Sequence, residues 1–190
     1  MRVIAGTYRS RPLLAPAGND TRPTADRLRE TLFNVLTQGA VDHIANTRFL
    51  DLYAGSGAVG IEALSRGAEL AVFVEQGPPA LAVLQKNLAT LGIRSGTNVV
   101  KRGVARYLRE AEEKGAHFGV VFLDPPYDLA AEYTATLDFL GTPERRLLEA
   151  DGMVVAEHRR KQALAESYGE LKRIRVIEQG DAALSLYQRQ

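Results

Sequence analysis

The sequence contains no cysteine, which excludes disulfide bonds, iron–sulfur clusters and zinc sites built on thiolates. Its three histidines, His43, His117 and His158, are scattered and do not have the spacing of metal ligands. No apolar run approaches the roughly 20 residues that span a bilayer, and the first residues lack the apolar region of a secretory signal. We therefore expect a cytoplasmic protein that needs neither a metal nor a membrane.

The arginines of the chain are unevenly distributed. The net charge of the 190 residues is +1, yet residues 1–37 hold six arginines against three acidic residues. Arginine suits bidentate contact with phosphate, so this cluster predicts a nucleic-acid contact at one end of a nearly neutral domain. Ion pairs along a helix are the structural alternative. The six residues are Arg2, Arg9, Arg11, Arg22, Arg27 and Arg29.

Apolar runs and turn residues predict one α/β domain. Residues 2–8 and 11–16 are predicted to form a hairpin, followed by a helix that Thr24 caps and that ends near Thr37. After residue 48, short strands alternate with helices, which is typical of a doubly wound parallel sheet with right-handed crossovers. The predicted strands of this part are 49–52, 70–74, 99–100, 118–123, 152–157, 171–178 and 182–188. The predicted helices are 57–66, 77–91, 103–114 and 129–140.

A glycine-rich turn follows the first strand of this sheet. Gly55, Gly57 and Gly60 fit the pattern G-x-G-x-x-G, and Glu75 closes the next strand. Such a turn lets a nucleotide approach the backbone, while the acidic residue binds ribose hydroxyls. The pattern suits both a nicotinamide dinucleotide and S-adenosylmethionine. Asp51 favours the second, because it ends the strand where its carboxylate can meet a cationic amino-acid group.

The tetrapeptide Asp124, Pro125, Pro126 and Tyr127 follows the apolar run 118–123 and predicts the catalytic corner. Ligands of open α/β sheets bind at the carboxyl ends of the strands. The Asp124 carboxylate and the Pro125 carbonyl can accept both N–H groups of an exocyclic base amine, which orients its lone pair towards a methyl sulfonium. Tyr127 can stack on the base. A dinucleotide enzyme has no use for such a corner.

These segments together resemble the bacterial small-subunit ribosomal RNA guanine-N2 methyltransferases, which modify one guanine of 16S rRNA. Residues 2–11 are similar to the first hairpin of that family, residues 21–34 to its most distinctive segment, and residues 51–67 to its cofactor loop and helix. The resemblance implies a Rossmann-like class I methyltransferase fold. Its sheet would be seven-stranded and mostly parallel, with a C-terminal antiparallel hairpin and an N-terminal hairpin and helix extension.

The resemblance also implies S-adenosylmethionine as the cofactor. Gly55, Ser56 and Gly57 would approach its methionine part, and Glu75 would bind its ribose. Many family members have an acidic residue where this chain has Gly103, so backbone groups are expected to recognise the adenine. The implied cofactor-binding residues are Asp51, Tyr53, Gly55, Ser56, Gly57, Glu75, Gly103 and Val104.

The acceptor implied by the resemblance is 16S rRNA in the small ribosomal subunit or in an assembly intermediate. A monomer is expected, in which residues 1–37 face RNA and residues 48–190 form the cofactor-binding and catalytic core. One alternative is an adenine-N6 methyltransferase of DNA or RNA, which shares the catalytic corner. An NAD-dependent oxidoreductase would explain the glycines and Glu75 but not the corner. A non-catalytic ribosome assembly factor would not need either site intact.

Overall fold

A computed structural model of the protein describes residues 1–15, 23–39, 41–126 and 129–190. Eight strands in this part of the chain form one sheet. The strands are β1 (Arg48–Leu52), β2 (Leu70–Glu75), β3 (Thr97–Lys101), β4 (Phe118–Leu123), β5 (Leu148–Arg159), β6 (Ser167–Tyr168), β7 (Leu171–Gln179) and β8 (Ala182–Arg189). Their order across the sheet is β3-β2-β1-β4-β5-β8-β7-β6. The first five are mutually parallel, and β8, β7 and β6 continue the sheet with antiparallel pairing.

Five helices within the described residues cover the two faces of the sheet. They are α1 (Pro23–Thr37), α2 (Ala58–Ser65), α3 (Pro78–Leu91), α4 (Val104–Glu113) and α5 (Ala130–Gly141). Side chains of α1, α2 and α3 pack on one face of the sheet, which we call the α1 face. Side chains of α4 and α5 pack on the opposite face. None of the described helices is long and apolar enough to cross a membrane.

The predicted sheet, mostly parallel with a C-terminal antiparallel hairpin, is confirmed. Each strand and helix predicted after residue 48 is present within a few residues of its expected bounds. The two-residue strand β6 was not predicted, because so short a segment has no periodicity. It makes the sheet eight-stranded where seven strands were expected.

The two arms of the predicted N-terminal hairpin meet antiparallel at a bridge between Arg2 and Pro12, and the N–H of Ser10 donates a further hydrogen bond to the carbonyl oxygen of Val3. Residue 16 of the predicted second arm lies outside the described residues. In the described part of this segment two full strands do not form, because several of its amides bond to side chains of α2 instead. Within the described residues, the helix that follows begins at Pro23, one residue before the predicted cap position Thr24. Proline suits the first turn of a helix, because its fixed φ is helical and its missing N–H has no partner there anyway.

The glycine turn brings α2 unusually close to the sheet. A Cβ on Gly60 would lie 2.4 Å from Cε1 of Phe73, and a Cβ on Gly57 would lie 2.2 Å from Cδ1 of Leu84. Gly57 also has φ of +78°, a conformation that favours glycine. Phe73 is fully buried in β2 and has no room to retreat. The glycines therefore fix how near the helix N-terminus lies to the strand ends.

Replacing Gly60 by alanine should lower the free energy of unfolding by about 1–2 kcal/mol, because overpacking against Phe73 exceeds the gain in helix propensity. Urea denaturation of the wild-type and variant proteins measures this difference. Gly39→Ala is the matched control, since a Cβ there has its nearest neighbour at 3.6 Å. Equal losses in the two variants would contradict the close-packing argument.

Candidate active site

Four carboxylates lie in a row along the carboxyl edge of the parallel sheet. Glu75 ends β2, Asp51 lies in β1, Asp124 directly follows β4 and Glu157 lies near the end of β5. These strands are neighbours in that order, and the alternation of side chains places all four groups on the α1 face. Glu157 was missed from sequence, since only the pairing of β4 with β5 brings it beside Asp124.

Asp51 is the most deeply placed member of this row, with 2% of its surface exposed. Its Oδ2 accepts a hydrogen bond of 2.9 Å from the backbone N–H of Gly60, so it ties the start of α2 to the sheet. Burial raises the pKa of Asp51 to about 7; the Gly60 bond opposes this rise, and the charges of Asp124 and Glu75 add to it. A cationic ligand group would favour the ionised form of Asp51. The contact of Asp51 with such a group stays a prediction.

Glu75 connects the two turns that border the candidate cofactor site. Its Oε2 accepts a hydrogen bond of 2.9 Å from the N–H of Gly55 in the glycine turn. Its Oε1 accepts one of 2.7 Å from the N–H of Gly77, after β2. The two backbone donors hold the carboxylate in a fixed orientation, and each oxygen keeps lone-pair capacity for a hydroxyl. This geometry suits the predicted contact with a ribose.

Tyr53 links the glycine turn to the element that follows the catalytic corner. Its φ is +63°, which is rare for a bulky residue. Its hydroxyl donates a hydrogen bond of 2.6 Å to Oε2 of Glu132, in the first turn of α5. Burial, followed by the bond to Glu132, raises the pKa of Tyr53. Glu132 was not identified from sequence, because its partner lies 79 residues away.

Asn87 connects the glycine turn to the N-terminal segment, by which we mean residues 1–15. The Asn87 side chain is buried, and its Nδ2 donates to the carbonyl oxygens of Ser56 at 2.9 Å and Leu14 at 3.0 Å. Its Oδ1 accepts a hydrogen bond of 2.8 Å from the N–H of Leu14. One amide side chain on α3 therefore holds together the turn predicted for the cofactor and the segment predicted for RNA.

Gly103 and Val104 lie where β3 passes into α4. A Cβ on Gly103 would come within 3.2 Å of Oε1 of Gln76, the residue after Glu75. Gly103 thus lies beside the end of β2, on the side expected for the adenine, and Val104 is buried at the start of α4. Gln76 is a further polar group at this position that sequence reasoning did not identify.

The catalytic corner is described up to Pro126. Asp124 is partly exposed, Pro125 is buried and Pro126 is exposed. Burial raises the pKa of Asp124 to about 7. The predicted stacking residue, Tyr127, lies outside the described residues. The last residues of β4 and β1, Leu123 and Leu52, are paired, so the corner that follows β4 adjoins the glycine turn that follows β1.

Four of the six predicted arginines are exposed. Arg2, Arg9 and Arg27 line a surface depression between the N-terminal segment and α1, together with Asp26 and Glu30. The fourth exposed residue, Arg11, donates a hydrogen bond of 3.3 Å to the carbonyl oxygen of Thr90 on α3. Arg22 lies outside the described residues.

The structure does not favour the predicted contact of Arg29 with nucleic acid. Its side chain is only 5% exposed, and its guanidinium forms an ion pair of 3.1 Å with Asp26. It also donates a hydrogen bond of 2.5 Å to the carbonyl oxygen of Arg2, and its Nε lies 4.0 Å from Oε2 of Glu62. The structural alternative of an ion pair along the helix is correct for this residue, whose position on the α1 face buries it.

Glu62 anchors the N-terminal segment to α2. Its side chain is fully buried, and it accepts hydrogen bonds of 2.7 Å from the N–H of Ile4 and 3.0 Å from the N–H of Ala5. Arg66 donates to the same carboxylate at 2.8 Å. Ser65 adds a further contact, because its Oγ accepts a hydrogen bond of 2.9 Å from the N–H of Tyr8. The segment that carries the exposed arginines is therefore fixed in place.

Among the described residues, no group of three or more histidine, cysteine, aspartate or glutamate side chains is arranged to hold a metal ion. The site consists of backbone turns, carboxylates and one asparagine. Such a donor set can bind an organic ligand that carries amine and hydroxyl groups.

Comparison with known proteins finds relatives that match the whole length of the chain. The family described as "Conserved hypothetical protein 95" matches residues 1–188. The "Putative rRNA methyltransferase YlbH" of Bacillus subtilis is 38% identical over 189 residues, which are 100% of this chain and 99% of that protein. The "Ribosomal RNA small subunit methyltransferase D" of Escherichia coli is 42% identical over 127 residues, which are 67% of this chain but only 60% of that protein.

A solved structure has the same fold over its full length. The protein described as "Putative methyltransferase yhhF from Escherichia coli" superposes with a TM-score of 0.82 at 35% identity, covering 100% of this chain and 98% of that one. The sheet order, the glycine turn and this likeness define a class I methyltransferase fold. The chain belongs to the conserved hypothetical protein 95 family, and its relatives include proteins named ribosomal RNA small subunit methyltransferase D.

Replacing Glu62 by alanine should release the N-terminal segment, because two backbone N–H groups lose their acceptor and Arg66 loses its partner. Hydrogen exchange at the amides of Ile4 and Ala5 should become at least about tenfold faster, as expected from the loss of about 1.4 kcal/mol or more of local stability. Glu69→Ala, at an exposed position just after α2, is the control. Unchanged exchange at Ile4 and Ala5 in Glu62→Ala would show that Glu62 is not the anchor.

Proposed function

We propose that this protein is an S-adenosylmethionine-dependent methyltransferase that modifies the exocyclic N2 amine of a guanine in 16S rRNA, in the small ribosomal subunit or an assembly intermediate. The observation that carries the proposal is the position of Asp124. It lies partly exposed at the end of β4, directly beside the strand that enters the glycine turn. Family membership and the names of the relatives support an rRNA substrate.

The residues present fit this cofactor. Glu75 is oriented by the N–H groups of Gly55 and Gly77 and can accept the ribose hydroxyls. Asp51 lies below the turn and can balance the cationic amino-acid part, while Gly55, where an added Cβ would have no neighbour closer than 3.9 Å, leaves the backbone accessible. Bound there, S-adenosylmethionine supplies a methyl group on a sulfonium, which is a good leaving group. The protein's own contribution is positioning and electrostatics.

The catalytic corner orients the acceptor. The lone pair of an exocyclic guanine amine is delocalised into the ring, so the amine is a poor nucleophile. The Asp124 carboxylate and the Pro125 carbonyl accept its two N–H groups, which turns the lone pair towards the methyl group. Tyr127 is assigned to stacking on the base and Pro126 to shaping the turn. Burial raises the pKa of Asp124 above that of an ordinary aspartate, and the ionised form is the one that accepts the amine N–H group.

The N-terminal segment and α1 are assigned to RNA binding. Arg2, Arg9 and Arg27 surround one depression, and Arg11 lies exposed on the same segment. Their guanidinium groups suit phosphate oxygens. An adenine-N6 methyltransferase of DNA or RNA would share the Asp124 chemistry. Assay on different acceptors distinguishes these two functions.

Methyl transfer from labelled S-adenosylmethionine tests the proposed reaction on purified small subunits, naked 16S rRNA and duplex DNA, followed by nucleoside analysis. We expect label in N2-methylguanosine from the subunit or its RNA. Label in N6-methyladenine would keep the role of Asp124 and overturn the guanine assignment. Cofactor binding without transfer to any of the three acceptors would contradict the proposed substrate.

Asp124→Ala should lower kcat by at least about a hundredfold, because the amine loses its ionised acceptor. The affinity for S-adenosylmethionine, measured by calorimetry, should change little, since Asp124 is assigned to the base. Asp151→Ala, an exposed position in β5, is the control and should keep wild-type kcat. Full activity of Asp124→Ala would remove this residue from the mechanism.

Arg9→Ala and Arg27→Ala should each weaken binding to small-subunit RNA and flatten the slope of log affinity against log salt by about one unit, because each loses a phosphate contact. Filter binding between low and moderate salt measures the slope. Arg109→Ala removes an exposed arginine from α4, on the opposite face, and should leave the slope unchanged. A wild-type slope in both test variants would place the RNA elsewhere.

A further inference from the structure

Glu157 is the one carboxylate of the row that the proposed mechanism does not use. Leu123 of β4 pairs with Ala156 of β5, so Asp124 and Glu157 are neighbours at the ends of parallel strands. Two residues earlier, Phe122 and Val155 both pack on the α1 face. Side chains alternate along strands that lie about 4.8 Å apart, so the two carboxyl groups lie side by side on that face.

The groups that face this pair carry mostly negative charge. Asp51 of β1 lies on the side of Asp124 and contributes a second like charge. Arg29 of α1 is the cation that faces Glu157, but Asp26 and Glu62 already share its guanidinium. On the other side, β8 places Leu184 opposite Glu157.

Two adjacent ionised carboxylates in partly buried surroundings repel each other strongly. Burial raises the pKa of Glu157 well above its ordinary value, and the charge of Asp124 adds to this rise while Arg29 opposes it. The favoured state near neutral pH is therefore one proton for two carboxylates. Such a pair costs folding free energy, and an apolar residue next to Leu184 would cost less. Folding stability therefore does not explain why residue 157 is a glutamate.

We propose that Asp124 and Glu157 share one proton, and that Glu157 is a positioning residue that holds the Asp124 carboxylate towards the acceptor amine. This inference rests on the proposed function. Glu157 acts through Asp124 and needs no contact with the base. The protonated member of the pair donates a hydrogen bond to the ionised one, which fixes the orientation of both groups.

The pair also provides an acceptor for the proton that the methylated amine loses. In the transfer, the new bond forms from the amine nitrogen to the methyl carbon, and the bond from sulfur to that carbon breaks with its electrons on sulfur. The nitrogen becomes cationic and then loses one proton to the nearer Asp124 oxygen. The pair, which carried one negative charge, becomes neutral. Release of one proton to water restores its starting state.

The first test uses the free protein and needs no substrate. Carboxyl carbons labelled with ¹³C and assigned by triple-resonance NMR report the titration of each acid. We expect Glu157 to titrate well above the ordinary range of a glutamate. Asp124→Asn should move the midpoint of Glu157 to lower pH. A midpoint of Glu157 in the ordinary range of a glutamate, or one that Asp124→Asn leaves unchanged, overturns the pair.

The second test is the pH dependence of methyl transfer in Glu157→Gln, which keeps the size of the side chain but removes its charge. We expect kcat to fall about tenfold and the basic limb of its pH profile to move to higher pH. The reason for the shift is that the last proton of the wild-type pair comes from Glu157, whereas the glutamine amide does not titrate. The KM for S-adenosylmethionine should not change. Glu149→Gln is the matched control and should keep the wild-type rate and profile.

A wild-type pH profile in Glu157→Gln would overturn the positioning role. Loss of activity without a shift of the profile would equally do so, because that is the expected result of a purely structural defect. If Glu157→Gln does not fold, the NMR titration of the wild type and Asp124→Asn still decides the matter. A shared proton in a protein that methylates none of the acceptors would support the pair and reject the proposed function.

Discussion

The arrangement of both candidate surfaces depends on one buried carboxylate in α2. Glu62 accepts the N–H groups of Ile4 and Ala5, so backbone that would otherwise be left without partners packs against a helix. A buried carboxylate is stable only with several donors, and Arg66 supplies another. Because α2 begins at the glycine turn, the element that positions the cofactor turn also positions the arginine-bearing segment. The exposed arginines thus form a fixed surface instead of a flexible basic tail.

Two further side chains extend this connection towards the chemistry. Asn87 bonds both to Leu14 of the N-terminal segment and to Ser56 of the glycine turn, so a displacement of either strains the same amide. Arg29 donates a hydrogen bond to the carbonyl oxygen of Arg2 and also lies beside the carboxylate of Glu62. Since two-state coupling needs a shared physical element, these contacts offer one between the N-terminal segment and the candidate site. The connection is made of buried hydrogen bonds, which are costly to leave unmade.

Much of this architecture could be predicted from local patterns. The strands and helices after residue 48 follow from apolar runs of the right length, and Asp51, Glu75 and Asp124 follow from their positions at strand ends. Features that depend on packing between distant segments could not be predicted. Glu157 becomes relevant only through the register of β4 and β5, which shifts between Phe118 and Val120. Arg29 lies only two residues from the exposed Arg27, and tertiary packing on the α1 face, which local sequence does not reveal, buries it.

The carboxylate row sets an electrostatic condition for the proposed RNA substrate. Asp51, Asp124 and Glu157 lie beside the proposed position of the base, and the negative charge that they carry opposes the approach of a negatively charged polymer. The exposed arginines offset this charge at the surface, but not inside the site. In the proposed function, the ammonium of the cofactor would bring positive charge next to Asp51, the most deeply buried member of the row. Filling the cofactor site before the RNA site would then lower the negative charge that the RNA meets.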